Sequence, residues 1–322
     1  MSSIEKAIER LSKEREKASN TAQVDGVMAD ATVQHENPGF TAVKEFDGKT
    51  DILSDSLKQE ELDEVNYSAP IKNREQVNSD DIEYKLNLKE LTKAGYLTPE
   101  SNNKILSEEY RAIKRPILMN AFGKGAAPIE RGNLITITSS LPGEGKTYTS
   151  LNLALSIATE LDSTILIIDG DILNPQLSRF LGLEKKRGLT DVLHDSHTGI
   201  RDVMIGTQIP KLKIIPAGNK YENSTELLAS DAMEKLVIEL GDRYSDRIVL
   251  FDSPPLLATS EAAVLNHLMG QILLVVEAGK TPVDAVKESL SHINDEKVIG
   301  LVLNKTNGHA GRSGYGSYGG YG

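Results

Sequence analysis

The sequence predicts an α/β protein with a mostly parallel sheet covered by helices on both faces. Three observations carry that reading. Six short Ile/Val/Leu-rich runs, at 134–139, 164–169, 212–216, 247–252, 271–276 and 297–303, lack polar alternation, as strands buried on both faces do. Helical stretches lie between several of them, at 146–160, 231–243, 259–268 and 282–293, and alternating strand with helix produces parallel crossovers. A glycine-rich turn joins the first run to the first of these helices.

What precedes that pattern is different in kind. The 322 residues carry 36 Lys plus Arg against 47 Asp plus Glu, a net charge of −11. Residues 1–100 hold 21 acidic and 13 basic side chains, net −8, and the remainder 26 and 23, net −3. A disordered acidic N-terminal extension is therefore expected ahead of a nearly balanced domain. Within it, Ile4, Ile8 and Leu11 recur at helical spacing and predict an amphipathic helix over 1–17. A helix that short is marginal alone, so it reads either as a docking element or as a frayed segment. Residues 18–100 read as the acidic, largely disordered linker, with only a weak apolar pattern over 82–100. The domain is expected over 101–305, opening with a helix through SEEYRAIKR that Pro116 disturbs or kinks. Residues 306–322 form a Gly/Tyr/Ser tail too simple to build a core.

Composition excludes several functions. The chain has no cysteine, so disulfides, thiolate metal sites and thiol nucleophiles are ruled out. Its acidity argues against nucleic-acid binding through bulk basicity. No apolar run approaches the roughly 18 residues of a membrane span, and the charged N-terminus is no secretory signal; a cytoplasmic protein is expected.

The chemistry concentrates in Ser140-Leu-Pro-Gly-Glu-Gly-Lys-Thr147, placed after a strand and before a helix. That is the context of a P-loop, and it makes the fold a P-loop NTPase. Gly143 and Gly145 let the backbone turn its N–H groups inward as an anion nest, and the helix N-terminus adds partial positive charge. Lys146 is placed for the β and γ phosphates and the Thr147 hydroxyl for magnesium. Ser140 stands where the first glycine of the usual motif would be. Two later runs end in carboxylates: TILIIDGD carries Asp169 and Asp171, and RIVLFDSPP carries Asp252. Carboxyl ends of parallel strands share the edge where ligands bind, so these acids, with Lys146 and Thr147, suit a magnesium–nucleotide centre, Asp252 as the metal-holding acid.

Taken together, SSLPGEGKT, ILIIDGDILNP and VLFDSPPLL resemble the bacterial tyrosine kinases (BY-kinases) of polysaccharide synthesis and export. The resemblance continues through PAGN, NSTELL, LLVVEAGKT and VIGLVLNK and covers about residues 102–322. The alternative is a Min- or partition-like positioning ATPase without kinase activity; the signature lysine of that group is replaced here by the Leu141-Pro142 stretch. The BY-kinase resemblance implies ATP and Mg2+ as cofactors. It implies nucleotide binding by Pro142, Gly143, Glu144, Gly145, Lys146, Thr147 and Tyr148, and magnesium held by Thr147 and Asp252. Lys146, Asp169, Asp171 and Asp252 would be catalytic, with Asp169 and Asp171 orienting or activating the incoming tyrosine, and Asn304 would contact the base. The A′ motif departs from the family at Leu173, where arginine is usual. Glu108, Arg111 and Lys114 resemble the E-x-x-R-x-x-R motif through which relatives assemble into rings.

Three of the ten tyrosines, Tyr315, Tyr318 and Tyr321, fall in the last eight positions, and the resemblance makes them the phosphoacceptors. From Lys305 to Tyr318 the chain reaches roughly 20 Å on average and at most about 45 Å, enough for its own site or a neighbour's. Further implied are a membrane polysaccharide co-polymerase (chain-length adaptor) as activator, a cognate tyrosine phosphatase, and placement at the inner face of the cell membrane through that adaptor. The N-terminal SIEKAIERL and acidic linker resemble the exosortase-associated branch.

Overall fold

The computed structural model describes residues 84–306 apart from Ala126, Asn223, Ser245 and 294–296. The helix expected over 1–17, the linker up to residue 83 and the tail tyrosines lie outside the described residues.

Among the described residues seven strands form one sheet: β1 (Leu134–Ser139), β2 (Thr164–Asp169), β3 (Ile205–Gly206), β4 (Leu212–Ile215), β5 (Arg247–Asp252), β6 (Gln271–Glu277) and β7 (Val298–Asn304), in the order β3-β4-β2-β5-β1-β6-β7. All pairings are parallel except β3 with β4. Helices α1 (Leu88–Lys93), α2 (Lys104–Ala121) and α3 (Lys146–Ala158) precede α4 (Gln176–Phe180), α5 (Leu189–His194) and α6 (Ile200–Val203). Then come α7 (Ser224–Leu228), α8 (Asp231–Arg243), α9 (Ser260–Leu268) and α10 (Val283–Ser291). The six strands read from the sequence are present, with ends shifted by at most a residue.

Successive strand residues go to opposite faces, and both faces are covered. Ile135, Ile137, Ile165 and Ile167 pack with α3 in one core, while Leu134, Leu166, Ile168 and Phe251 pack with Val237 of α8 and Leu265 of α9 in another. Two-sided burial is why these strands show no alternation. α3 is buried nearly all round, from Thr149 to Ile157, because other elements lie on its outer side.

Those outer elements differ from the sequence reading in two ways. Residues 84–100, assigned above to the linker, fold onto the domain as a strap, with Leu86, Leu91, Tyr96 and Leu97 buried. Tyr84 N–H donates to Gly206 O (3.2 Å), the Gln208 side chain bonds both the N–H and the carbonyl of Leu86, and Leu97 N–H donates to Asn152 Oδ1 (2.8 Å). Tyr96 lies 5.0 Å from the ring of Tyr148 and 5.0 Å from that of Phe180. Second, α2 runs through Pro116 to Ala121. The proline forfeits one helix bond, but Tyr110, Lys114 and Ile117 are buried on the α2 surface, and that packing outweighs the lost bond. The two-residue β3 carried no periodic signal at all. Among the described residues no helix is long and apolar enough to cross a membrane.

The strap is expected to contribute to stability through Tyr96. Tyr96→Ala should cost about 3–5 kcal/mol in urea unfolding of the full chain, the range for emptying a buried aromatic site, whereas Tyr96→Phe, which keeps both ring contacts, should cost less than about 1.5 kcal/mol.

Candidate nucleotide site

The loop after β1 takes the shape its glycines permit. Gly143 and Gly145 have φ of 86° and 97°, a region costly for other residues, and Gly145 is the N-cap of α3. The end of β1, from which the loop leaves, is pinned to the segment after β5: Thr138 Oγ1 donates to Pro254 O (2.7 Å), Ser253 N–H to Ile137 O (2.9 Å) and Leu256 N–H to Ser139 O (2.8 Å). Glu144, at the loop's centre, is buried; one carboxylate oxygen accepts from Leu141 N–H (2.8 Å) and the other bonds the Thr281 hydroxyl.

The three aspartates converge on Lys146. Asp169 and Asp252 are register partners on β2 and β5, both fully buried. Lys146 Nζ donates to Asp171 Oδ2 at 2.7 Å. Burial works against its charge, but Asp252, Asp171 and Asp169 outweigh burial and hold its pKa above the ordinary lysine value. Burial, foremost, raises the Asp252 carboxyl; Lys146, Thr147 and the Ser150 hydroxyl (2.9 Å from Oδ1) oppose the rise. Asp169 is pushed up to about 7, first by burial and then by the Asp252 charge. Its Oδ2 accepts from both Ser178 N–H (2.8 Å) and Ser178 Oγ (2.7 Å), and Ser178 Oγ in turn accepts from Ala217 N–H. Asp169 thus ties β2 to α4 and the segment after β4, while Asp171 is the acid bonded to the lysine.

Besides Ser140 Oγ at the start of the loop, two oxygens beside each other at this centre lack a hydrogen bond: Thr147 Oγ1 and Asp252 Oδ2, both buried. They are close enough for Thr147 to lower the Asp252 pKa but outside hydrogen-bonding geometry. Buried polar atoms are rarely left without partners, and one hydroxyl plus one carboxylate is the donor set a magnesium ion uses when phosphates and water supply the rest. Among the described residues no cluster of three or more His, Asp or Glu could hold a metal alone. The residues fit a phosphate-shared ion.

The side chains of the other expected residues have partners of their own. The Tyr148 hydroxyl donates to Gly95 O (2.8 Å), so that side chain holds the strap. Asn304 Nδ2 donates to Glu144 O (2.8 Å), a bond to the loop backbone. Glu108 and Arg111 are exposed and paired with each other, but Lys114 is only 5% exposed. Its ammonium caps the end of α3, on Ser156 O (2.8 Å) and Glu160, where helix carbonyls favour a cation; it does not share a surface with Glu108. Sequence reasoning missed Ser150 and Ser178, which hold Asp252 and Asp169. Ser150 lies three residues after Thr147, on the same helix face, and that spacing was the available signal. Leu173, where arginine was usual, is exposed and flanks a depression beside Asp171 with Leu228, Pro254 and Thr259.

The pKa of Asp169 has a sign that can be measured. Between its ordinary value of 3.8 and about 7 the native state holds a proton the unfolded chain has lost, so the carboxylate costs more stability as pH rises through that window. Asp169→Asn should therefore raise the melting temperature by a few degrees more at pH 8 than at pH 5; an equal change at both would contradict the raised value.

A family model of the AAA domain matches residues 132–297. The chain is 33% identical over 209 residues to the tyrosine-protein kinase YwqD of Bacillus subtilis, covering 64% of this chain and 82% of that protein. It is 31% identical over 176 residues to the tyrosine-protein kinase ptk of Acinetobacter johnsonii, covering 54% of this chain but only 24% of that longer protein. The kinase domain of the Escherichia coli tyrosine kinase ETK superposes with a TM-score of 0.52 at 26% identity, covering 67% of this chain and 80% of that one. The match to YwqD spans most of that protein and the AAA model most of the sheet, so this chain belongs to the bacterial tyrosine-protein kinases.

Proposed function

We propose that this chain is an ATP-dependent protein-tyrosine autokinase that transfers the γ-phosphoryl group to Tyr315, Tyr318 and Tyr321 of its tail. The observation that carries this reading is the pair of buried, unpartnered oxygens, Thr147 Oγ1 and Asp252 Oδ2, beside the ammonium of Lys146 at the mouth of a glycine loop. Thr147 and Asp252 would hold a magnesium ion, which supplies charge neutralisation at the phosphoryl oxygens.

The chain's own groups do the rest. The loop N–H groups and Lys146 bind the phosphates. A polyphosphate competes with Asp171 for the Lys146 ammonium, and the carboxylate so released accepts the phenol proton as the tyrosine oxygen attacks the γ-phosphorus. The bond to the β,γ-bridging oxygen breaks and ADP leaves. A free phenol, with a pKa near 10, needs that base at neutral pH. Asp169 positions β2 and α4 around the site. The apolar wall of Leu173, Leu228 and Pro254 suits an aromatic acceptor flanked by glycine.

The wider role we assign is regulation of exopolysaccharide or capsule synthesis and export. A membrane polysaccharide co-polymerase is the proposed activator, placing the kinase at the inner face of the membrane, with a tyrosine phosphatase in opposition and the exosortase-associated branch as the setting. Self-association into a ring is proposed through Glu108 and Arg111, without Lys114. Residues 1–17 are the proposed docking helix, and the folded kinase domain is taken to begin at the strap.

Incubation of the full chain with radiolabelled ATP tests the chemistry. Tyrosine labelling should vanish in Lys146→Met and fall about a hundred- to ten-thousand-fold in Asp171→Asn, and Thr147→Ala should raise the magnesium concentration needed for half-maximal rate. Equal labelling of wild type and Lys146→Met would overturn the assignment.

A further inference from the structure

Two side chains at the end of β7 hold the outside of the phosphate loop. Lys305, whose backbone is left-handed (φ 57°), donates from Nζ to Gly143 O at 2.7 Å and to Glu277 Oε2 at 3.1 Å. Its neighbour Asn304 donates to Glu144 O at 2.8 Å and lies so near Gly145 that a Cβ there would collide with the amide. Glu277 is itself held: its N–H bonds Thr281 Oγ1 (3.0 Å), and that hydroxyl reaches the Glu144 carboxylate. The end of β7 thus grips consecutive peptide units of the loop, and the turn after β6 holds the Glu144 side chain.

The consequence follows from peptide geometry. Among the described residues there is no cis peptide bond, and in a trans peptide the carbonyl and the following N–H point in opposite directions. Drawing Gly143 O toward Lys305 turns the Glu144 N–H the other way; drawing Glu144 O toward Asn304 does the same for the Gly145 N–H. Both glycines can rotate their peptides at low steric cost, so without the grip these planes are free to swing. We infer that Lys305 and Asn304 are positioning residues that aim the N–H groups of Glu144 and Gly145 at the phosphates, giving Asn304 a role distinct from reading the base. The inference rests on the nucleotide reading above and adds to it the residues that preorganise the nest.

Titration calorimetry of the full chain with ADP and, separately, with inorganic pyrophosphate tests it, because pyrophosphate has no base. Misaligning a charge-assisted bond to phosphate costs about tenfold or more in affinity. Lys305→Met should therefore weaken both ligands about tenfold, Asn304→Ala should weaken both about threefold or more, and Lys305→Arg, which can still donate to the Gly143 carbonyl, should bind within about threefold of wild type. The losses should persist at 1 M salt, where the Debye length is about 3 Å. Loss of ADP affinity alone would mean a base contact and would overturn the inference. So would a Lys305→Met effect that disappears in salt, which marks simple charge attraction, or unchanged binding in both variants. Failure of wild type to bind either ligand would instead overturn the nucleotide reading, and this inference with it.

Discussion

Three buried carboxylates surround one ammonium, and the rest of the site depends on that balance. Asp169 and Asp252 face each other across adjacent parallel strands, so neither can withdraw without breaking the sheet. The charge of Asp252 raises Asp169, and Lys146 is the strongest influence opposing the rise at Asp252. A buried carboxylate without compensation costs several kcal/mol, so the lysine is as much a condition of the fold as a tool of the chemistry. Its position is fixed in turn by the first turn of α3, which starts where the left-handed Gly145 closes the loop. Sheet register, loop conformation and charge balance constrain one another.

That core is braced from two sides by segments far away in sequence. The strap at 84–100 bonds Asn152 and sets the Tyr96 ring at a tilt against Tyr148, fixing the flank of α3 within a turn or two of Lys146. The end of β7 fixes the loop's carbonyls. Tyr96 also touches Phe180, the last residue of α4, whose Ser178 holds Asp169. A phosphate site made of backbone N–H groups gains from such bracing, because donors already aimed at the ligand lose little freedom when it binds.

Much of this was legible in the sequence, for reasons that differ by element. The six longer strands announced themselves because burial on both faces removes polar alternation. The P-loop and its acids were legible because phosphate and metal demand particular side chains at particular spacings. The strap was hidden by its own charges: Lys85, Lys89, Glu90 and Lys93 are exposed and made residues 82–100 look like a continuation of the polar linker, although Leu86, Leu91 and Leu97 were already apolar. Lys114 was misplaced by counting in threes. At 100° per residue, positions six apart lie about 120° from each other on a helix, so Glu108 and Lys114 need not share a face.

The residues whose contacts escaped notice share a property. Ser178 reaches a partner nine residues away, Ser150 one 102 away, Asn304 and Lys305 partners 160 and 162 away. A group that meets the ligand must have one chemical identity, because the ligand fixes its geometry. A group that holds a backbone carbonyl needs only a donor within reach, and many side chains at many positions satisfy that. Motifs therefore record the inner surface of a site, while its outer support is written in contacts that close only when the chain folds. The clasp on the loop belongs to this second kind: Asn304 stood out in the sequence as a contact for the base, yet the atom it bonds is a peptide oxygen of the loop itself.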